Sequence, residues 1–454
     1  MFYSPSVIWS HFFSNYKENT LLSVFQFIIL AGVLIFYEQD EILVLFLFTI
    51  CSLVCIFDTK IILYIFYASI WISYTMYIEV YSIVIRLNDL IILFIFLSFL
   101  FHSAIRKSLI LIKPDKRDLP IIGLLILAFY SLFTTLNITN TIFEVIQIME
   151  LVFLYYLTKT LINNSNDILV FMVITIIIGI IDSAWIFNTI INNGIGERNV
   201  AIFGSTGNEL CFSIVFLYLF SLYERRPFIK IIQYLLLVIL ILSMIVTLGR
   251  GLLIISCVML LASTFIYIIK KRQYLSLIYS VLIAISAVFL LSLFATQNIT
   301  DRYSSIVEGG ENVDMRLYHW YSSAMIIADY PFTGVGLGNG KVHLESRMPE
   351  TAPEIVKKYS GDSPHNEFLH FGIQVGLFGI LFIILFYFTL IKRSAQLLID
   401  RNNDYEIISN ALFSMIIGII VWIFANDMLL AGMGTLIILI MVFVDKMNFY
   451  INHA

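Results

Sequence analysis

The chain has 454 residues, of which 60% are hydrophobic and 13% are charged, with a formal net charge of −4 at pH 7. Its mean hydropathy is +0.93, whereas soluble globular proteins are about 45–50% apolar and about 25% charged. This composition excludes an ordinary soluble enzyme and predicts a protein embedded in a membrane. The four cysteines lie inside apolar runs without paired spacing, which predicts neither a disulfide framework nor a metal site.

Apolar runs of membrane-spanning length recur along most of the chain. A transmembrane helix needs about 20 mostly apolar residues, and these runs lack the alternation over about ten residues that marks the strands of an outer-membrane barrel. We predict an all-α, polytopic integral membrane protein with about 12–14 transmembrane helices, in which two adjacent short runs among the first four could form one re-entrant unit. The candidate helices lie at about residues 21–37, 41–57, 61–80, 87–102, 119–136, 141–162, 167–191, 207–222, 229–248, 251–270, 274–295, 367–392, 407–425 and 429–446.

Lysine and arginine cluster in four of the predicted connections. When the helices are counted, all four connections fall on one side, which the positive-inside rule makes cytoplasmic, and both termini lie on that side too. The clusters are Arg106, Lys107, Lys113, Lys116 and Arg117; Arg225, Arg226 and Lys230; Lys270, Lys271 and Arg272; and Lys392, Arg393 and Arg401. The opposite, external side then receives residues 137–140, residues 192–206, the turn at residues 249–250 and one long loop.

The predicted helices and this loop divide the chain into four parts. N-terminal transmembrane helices occupy residues 1–206, and transmembrane helices with an Arg-Gly junction occupy residues 207–295. The external loop occupies residues 296–366, and C-terminal transmembrane helices occupy residues 367–454. Because connections usually have about 4–6 residues, a loop of this length is expected to be functional.

The external loop contains a predicted amphipathic helix at residues 315–330. Apolar side chains recur there at spacings of three and four, which suits a short helix lying along the membrane surface. They are Leu317, Trp320, Tyr321, Ala324 and either Ile327 or Ala328. Pro331 ends this helix, and alternating glycines follow from Gly334 to Gly340. Because no strand–turn–helix setting surrounds the glycines, they do not predict a dinucleotide site.

Several motifs follow one another in an order typical of a known family. An Arg-Gly pair lies at a helix junction at residues 250–251, Arg316 is followed by Trp320, and residues 364–369 read Pro-His-Asn-Glu-Phe-Leu. Together with the glycines between them, these residues resemble the O-antigen ligase and polymerase superfamily of bacterial envelope glycan assembly. The resemblance is specific from about residue 207 onward. One departure is Gly249, which stands where the family usually has serine and so removes a possible hydroxyl donor.

The resemblance implies a glycosyltransferase of the bacterial inner membrane whose long loop and active site face the periplasm. The implied donor is a glycan on undecaprenyl diphosphate. A ligase transfers this glycan to a sugar hydroxyl of lipid A–core, and a polymerase transfers it to a second lipid-linked repeat unit. The resemblance implies that the protein uses no cofactor and no metal. The implied partners are these substrates and membrane lipids, and nucleic acid is not among them. The compact motif at residues 364–367 favours the ligase.

The residue chemistry agrees with that reaction, for which the catalytic candidates are His365, Arg316 and Arg250. Departure of a diphosphate develops negative charge, which guanidinium groups bind in a bidentate manner. An imidazole titrates near neutral pH and can accept the proton of the attacking hydroxyl. A single displacement with one base predicts inversion of the anomeric centre. The candidate substrate-binding residues are Arg198, Asn208, Trp320 and Asn366.

Each candidate residue also has a structural explanation. Interfacial arginines commonly anchor helix ends or form weak surface ion pairs, and polar side chains at helix starts act as caps. Arg250 could anchor a helix end. Arg316 could form an ion pair with Asp314 or Glu311, and Arg198 could form one with Glu197. His365 and Asn208 could cap helices.

A membrane transporter is the remoter functional alternative, because it would also be polytopic and carry charges inside helices. Glu144, Glu150 and Asp182 could form a proton path, although hydrogen bonding between helices is the commoner explanation for such residues. No internal repeat is evident in the sequence. A lipid flippase would need a polar central cavity, and a scaffolding role would not explain the arginine, glycine and histidine motifs.

Overall fold

The computed structural model describes residues 59–72, 77–80, 83–86, 92, 95–96, 114–193, 207–247, 250–272, 311–350, 352, 363–399, 405–426, 428–429 and 433–453. The helices predicted at about residues 21–37, 41–57 and 274–295 lie outside the described residues, as do most of the helix at 87–102 and Arg198. For Arg250 only the main chain belongs to the described part.

Helices dominate the described ranges, with one small hairpin. The helices are α1 (Thr59–Ile72), α2 (Leu119–Thr134), α3 (Ile138–Leu161), α4 (Ser165–Asn193), α5 (Asn208–Tyr223), α6 (Pro227–Val246), α7 (Arg250–Lys271), α8 (Glu311–Asp329), α9 (Gly340–Ser346), α10 (Glu367–Val375), α11 (Leu377–Ile399), α12 (Glu406–Ile423) and α13 (Gly434–His453). A 3-10 turn at Lys116–Asp118 precedes α2. Strands β1 (Tyr77–Val80) and β2 (Ile83–Arg86) pair antiparallel.

Within the described ranges, 8 helices are long and apolar enough to cross a membrane, namely α2, α3, α4, α6, α7, α11, α12 and α13. The predicted helical, polytopic membrane protein is therefore confirmed. The prediction of a single helix at about 61–80 is wrong, since α1 ends at Ile72 and β1 begins at Tyr77. Residues 77–86 are rich in tyrosine, isoleucine and valine, which fit strands better than helices.

Gly376 divides a helix that the apolar pattern predicted to be continuous over about residues 367–392. Its φ angle is 73°, and the main-chain N–H of Leu377 donates a hydrogen bond to the carbonyl of Pro331 at 2.7 Å. A Cβ atom on Gly376 would lie 2.6 Å from that same carbonyl oxygen. The prediction of one helix is wrong because the external loop makes a tertiary contact that interrupts the apolar run.

Helix α5 lies at the centre of the bundle. Every residue from Asn208 to Leu222 is buried, and the helix packs against α4, α6, α7 and α12. A helix that is apolar all round is expected to be enclosed by others. Outside this core, α8 packs against α10, so the loop helix lies over the start of the C-terminal helices.

Charged side chains join the helix ends that lie away from the external loop. The hydroxyl of Tyr155 lies 2.7 Å from Asp118 Oδ1 and 2.6 Å from Asp445 Oδ2. Lys159 binds Asp118 at 2.5 Å, and Arg393 binds Asp445 at 3.0 Å. These contacts link the 3-10 turn before α2 with α3, α11 and α13. Arg393 also donates to the main-chain carbonyl of Arg117 at 2.6 Å, which brings members of two basic clusters to one end of the bundle. Which side of a membrane this end faces stays a prediction.

Candidate functional site

The Pro364-His365-Asn366-Glu367 motif forms the turn that leads into α10. His365 has a φ of 50°, a left-handed conformation that costs a non-glycine residue about 1–2 kcal/mol. Its main-chain N–H donates to Ser363 Oγ at 3.1 Å. Backbone strain of this kind is commonly kept at functional sites. The turn therefore holds the histidine in a conformation that an ordinary connection would avoid.

Asn366, not His365, caps α10. Its side-chain Oδ1 accepts a hydrogen bond from the main-chain N–H of Leu369 at 3.1 Å, which satisfies one free donor of the first helical turn. The alternative that His365 serves as the cap is therefore wrong. The helix begins at Glu367 as expected.

Asn366 and Glu367 also bind the connection between α12 and α13. Asn366 Nδ2 donates to the carbonyl of Phe424 at 3.1 Å. Glu367 is completely buried, and its carboxylate accepts the main-chain N–H of Leu429, 3.2 Å from each oxygen, and that of Met428. A buried carboxylate is stable only when such donors surround it. These hydrogen bonds hold the motif against the connection between α12 and α13.

Trp320 joins the loop helix α8 to the same motif. Its indole Nε1 donates a hydrogen bond to the carbonyl of Pro364 at 3.0 Å. Arg316 lies one turn earlier on α8, and residues four apart share a face of a helix. The hydrogen bond therefore places the helix that carries Arg316 directly beside the residue preceding His365.

Asn208 and the start of α7 lie at this end of the bundle as well. Asn208 Nδ2 contacts Met433 Sδ at 3.9 Å, next to the α12–α13 connection. The N-cap of α5 is Gly207, so the interpretation of Asn208 as the cap is wrong. A Cβ atom on Gly207 would lie 3.6 Å from the Thr247 side chain. Cys211 Sγ in the first turn of α5 also donates to the carbonyl of Leu252 in the first turn of α7 at 3.4 Å, so the two helices begin at the same end of the bundle.

The alternating glycines act as a packing element. The main-chain N–H groups of Val335 and Gly336 donate to the carbonyls of Ile373 and Gln374, each at 2.9 Å. Gly336 has a φ of 92°, and a Cβ atom there would lie 2.4 Å from Thr135 Oγ1. The glycines therefore let the loop pass between α10 and the α2–α3 turn.

Asn339 holds this glycine segment in place, and its role was not predicted from the sequence. Its Nδ2 lies 2.9 Å from Thr135 Oγ1 and 3.1 Å from Thr141 Oγ1. An asparagine between two glycines is a common turn residue, so its sequence context did not distinguish it. The structural role of Glu367 was also not predicted. A carboxylate at the start of an apolar helix was a signal in the sequence that could have indicated it.

The structure thus brings together His365, Asn366 and Trp320, with Arg316 one helical turn away. Asn208 and the main chain of Arg250 lie at the same end of the bundle. Among the described residues, no group of three or more histidine, cysteine, aspartate or glutamate side chains could hold a metal ion. A strained histidine held beside an arginine-bearing helix can combine proton transfer with binding of an anion.

Comparison with known families matches residues 235–384 to the O-antigen ligase family. The matched segment is about a third of the chain and runs from α6 through the external loop into α11. It contains Arg250, Arg316, Trp320, His365 and Asn366, and it leaves out Arg198 and Asn208. The predicted resemblance is confirmed over this segment. A search of the curated proteins gives no significant match.

Proposed function

We propose that this chain is an O-antigen ligase-like glycosyltransferase, because residues 235–384 match the O-antigen ligase family. It moves a glycan from undecaprenyl diphosphate to a sugar hydroxyl of lipid A–core. The reaction takes place on the periplasmic face of the bacterial inner membrane, with both termini in the cytoplasm. The hydrogen bond from Trp320 to the carbonyl of Pro364 supports this proposal most directly, because it joins the helix of Arg316 to the turn of His365.

His365 acts as the general base. The hydroxyl oxygen of the acceptor sugar attacks the anomeric carbon of the donor, and its proton passes to the imidazole. The bond between the anomeric carbon and the diphosphate oxygen breaks, and undecaprenyl diphosphate departs with the electron pair. One displacement at one carbon inverts its configuration. The strained turn and the Asn366 cap keep the main chain of the base in a fixed position.

Arg316 and Arg250 bind the diphosphate. Their positive charge stabilises the negative charge that develops on the leaving group, and this is usually the largest contribution to catalysis in a poorly solvated site. No metal is required when guanidinium groups supply that charge. Trp320, Asn208 and Asn366 contact the substrates around the reacting atoms, and Arg198 contributes a further positive charge.

The key experiment compares His365→Ala with His343→Ala in the full chain. His343 is a half-buried histidine of the same loop, on α9, where its ring packs against Tyr330 with centroids 6.5 Å apart. We expect His365→Ala to abolish glycan transfer while the protein still inserts and folds, and His343→Ala to keep activity. Normal transfer by the His365 variant would refute the proposal. Transport of a substrate that persists in this variant would favour the transporter.

A repeat-unit polymerase is the alternative within the superfamily, because the two reactions share their chemistry and differ in the acceptor. Deletion of the gene followed by gel analysis of lipopolysaccharide separates them. A ligase deletion leaves polymeric antigen on the carrier lipid and none on lipid A–core. A polymerase deletion leaves a core bearing one repeat unit. Assignment of the anomeric configuration of donor and product by NMR tests the inverting mechanism, and retention would contradict it.

A further inference from the structure

Helix α8 buries several polar side chains and leaves several large apolar side chains exposed. His319, Ser322 and Ser323 are almost completely buried, and Ser322 Oγ donates to the carbonyl of Arg347 at 3.2 Å. By contrast, Leu317 and Tyr321 are each 54% exposed and Met325 is 40% exposed. This distribution is the reverse of the one expected for a helix on a water-facing surface.

The inward face of α8 is already occupied. Ile326 belongs to a small buried cluster with Val335, Leu344 and Ile373, against which Ile327 packs. Trp320 is half-buried and donates its hydrogen bond to Pro364. The predicted apolar stripe is therefore divided between the two faces of the helix. The outward residues Leu317, Tyr321 and Met325, spaced four apart, form a separate stripe that we call the outer stripe of α8.

The segment that follows α8 contacts two of the membrane-spanning helices. Phe332, three residues after α8 ends, is 60% exposed, and its ring lies 6.1 Å from that of Phe378. Phe378 is in the first turn of α11, and its own ring is 49% exposed. The hydroxyl of Tyr130 on α2 donates to the carbonyl of Phe332 at 3.0 Å. The end of α8 is thus attached to two membrane-spanning helices.

These two helices are the least enclosed of the spanning helices in the described ranges. Only 28% of the residues in the most apolar stretch of α2, and 33% of those in the most apolar stretch of α11, are buried inside the protein. Their exposed side chains must face lipid, because a bilayer is the solvent of a spanning helix. Exposed apolar side chains on a helix whose end is attached to this lipid-facing area are expected to meet the same solvent.

We propose that α8 is an interfacial helix whose outer stripe of Leu317, Tyr321 and Met325 rests in the outer boundary of the bilayer. The occupant of this surface is membrane lipid, whatever reaction the chain catalyses. A helix of this kind buries its apolar face at the boundary between headgroups and acyl chains. Arg316, which adjoins Leu317, then lies at the depth of the lipid phosphates. The membrane thereby fixes the position of α8 along the membrane normal.

Nitroxide labels test this placement in the full chain. Tyr321→Cys and Met325→Cys carry the label on the outer stripe, Lys341→Cys on the exposed side of α9 serves as the water-facing control, and Ser323→Cys serves as the buried control. All four are made in a background with the native cysteines replaced by serine. The protein is reconstituted in vesicles of phosphatidylethanolamine and phosphatidylglycerol. Collision rates are measured with oxygen, which dissolves in lipid, and with a nickel chelate, which stays in water.

At positions 321 and 325 we expect oxygen collisions to exceed chelate collisions, with the opposite order at position 341. A higher chelate rate at 321 and 325 would mean that the stripe faces water and would overturn the proposal. Low rates for both reagents, as at position 323, would mean that protein covers the stripe and would overturn it equally. If the cysteine-free chain does not fold, Tyr321→Trp in the native background replaces it. Its added emission is quenched by lipids brominated on their acyl chains only if the proposal holds.

Discussion

The indole of Trp320 donates a hydrogen bond to the carbonyl of Pro364, with 3.0 Å between nitrogen and oxygen. This bond is a direct polar link between the loop helix and the turn that carries His365. Trp320→Phe keeps most of the ring and removes the donor, at a cost of about 0.5–1.5 kcal/mol. If this energy holds the site in its reactive geometry, the rate of glycan transfer falls by up to about tenfold.

Tyr321→Phe is the matched control for Trp320→Phe, because it removes a polar group from an exposed ring on the same helix. Transfer rates of both variants are measured with lipid-linked donor and purified acceptor, and their thermal stabilities are compared. Equal rates for the two variants would contradict a positioning role for the Trp320 bond.

Glu367 is expected to position the α12–α13 connection against the site. Its buried carboxylate accepts the main-chain N–H groups of Met428 and Leu429. Glu367→Gln places an amide N–H₂ group where an acceptor is needed, and hydrogen bonds to charged groups contribute about 1.5–3 kcal/mol each. We expect kcat to fall while the variant still folds, because the connection loses its fixed position beside Asn366.

Glu406→Gln provides the control for Glu367→Gln. Glu406 is also buried and also in the first turn of a helix, but its carboxylate pairs with Lys271, at the opposite end of the bundle. This variant should lower the unfolding temperature and leave kcat unchanged below that temperature. If both variants lose activity only in proportion to their stability, Glu367 has a purely structural role.

The apolar pattern was sufficient to predict the middle helices but not the break at Gly376. Helices α2 and α6 each carry a proline in the first turn, where its missing N–H costs nothing, so their beginnings were visible in the sequence. Around Gly376 the apolar run continues on both sides. The break depends on the carbonyl of Pro331, which is distant in the sequence, and no local pattern reports such a contact.

The candidate site shows the same division: its sequence motifs could be predicted, but the contacts between distant segments could not. The order of Arg316, Trp320 and His365 is visible in the sequence. These residues lie in the segment that matches the O-antigen ligase family. That Asn366 and Glu367 bind the connection after α12 follows only from folding of the bundle. A helix cap was the structural alternative for Asn208, but Gly207 takes that position, and Asn208 contacts Met433.

Gly336→Ala should destabilise the external loop. A Cβ atom there would lie 2.4 Å from Thr135 Oγ1, in a residue with a φ of 92°. Overpacking and backbone strain each cost about 1–3 kcal/mol. Gly340→Ala is the control, because its Cβ would meet Ile373 at an ordinary 3.5 Å, and alanine favours a helix over glycine. Limited proteolysis of the loop should accelerate only in the Gly336 variant, and equal rates would contradict this explanation of the glycines.

Glu224, in the connection between α5 and α6, should make stability depend on pH. Burial acts to raise the pKa of its carboxyl, but the hydrogen bonds and charge of Arg226 outweigh burial and lower that pKa below the ordinary 4.5. A carboxyl with a lowered pKa in the folded state stabilises the protein above its ordinary pKa. That stabilisation is lost as the pH falls through the lower folded pKa.

We therefore expect Glu224→Gln to unfold at a lower temperature than the unmodified chain at pH 7. In the native chain, Arg226 Nε and Nη2 donate to the Glu224 carboxylate at 3.1 and 3.0 Å, and the substitution removes this charged acceptor. The difference should close as the pH falls through the lowered pKa of the folded state, where the native carboxyl becomes protonated too. Thermal unfolding in detergent micelles measures both values. Glu345→Gln, which changes an exposed carboxyl on α9, should give no such convergence. A Glu224 difference that stays constant with pH would mean that the side chain acts through packing rather than through its charge.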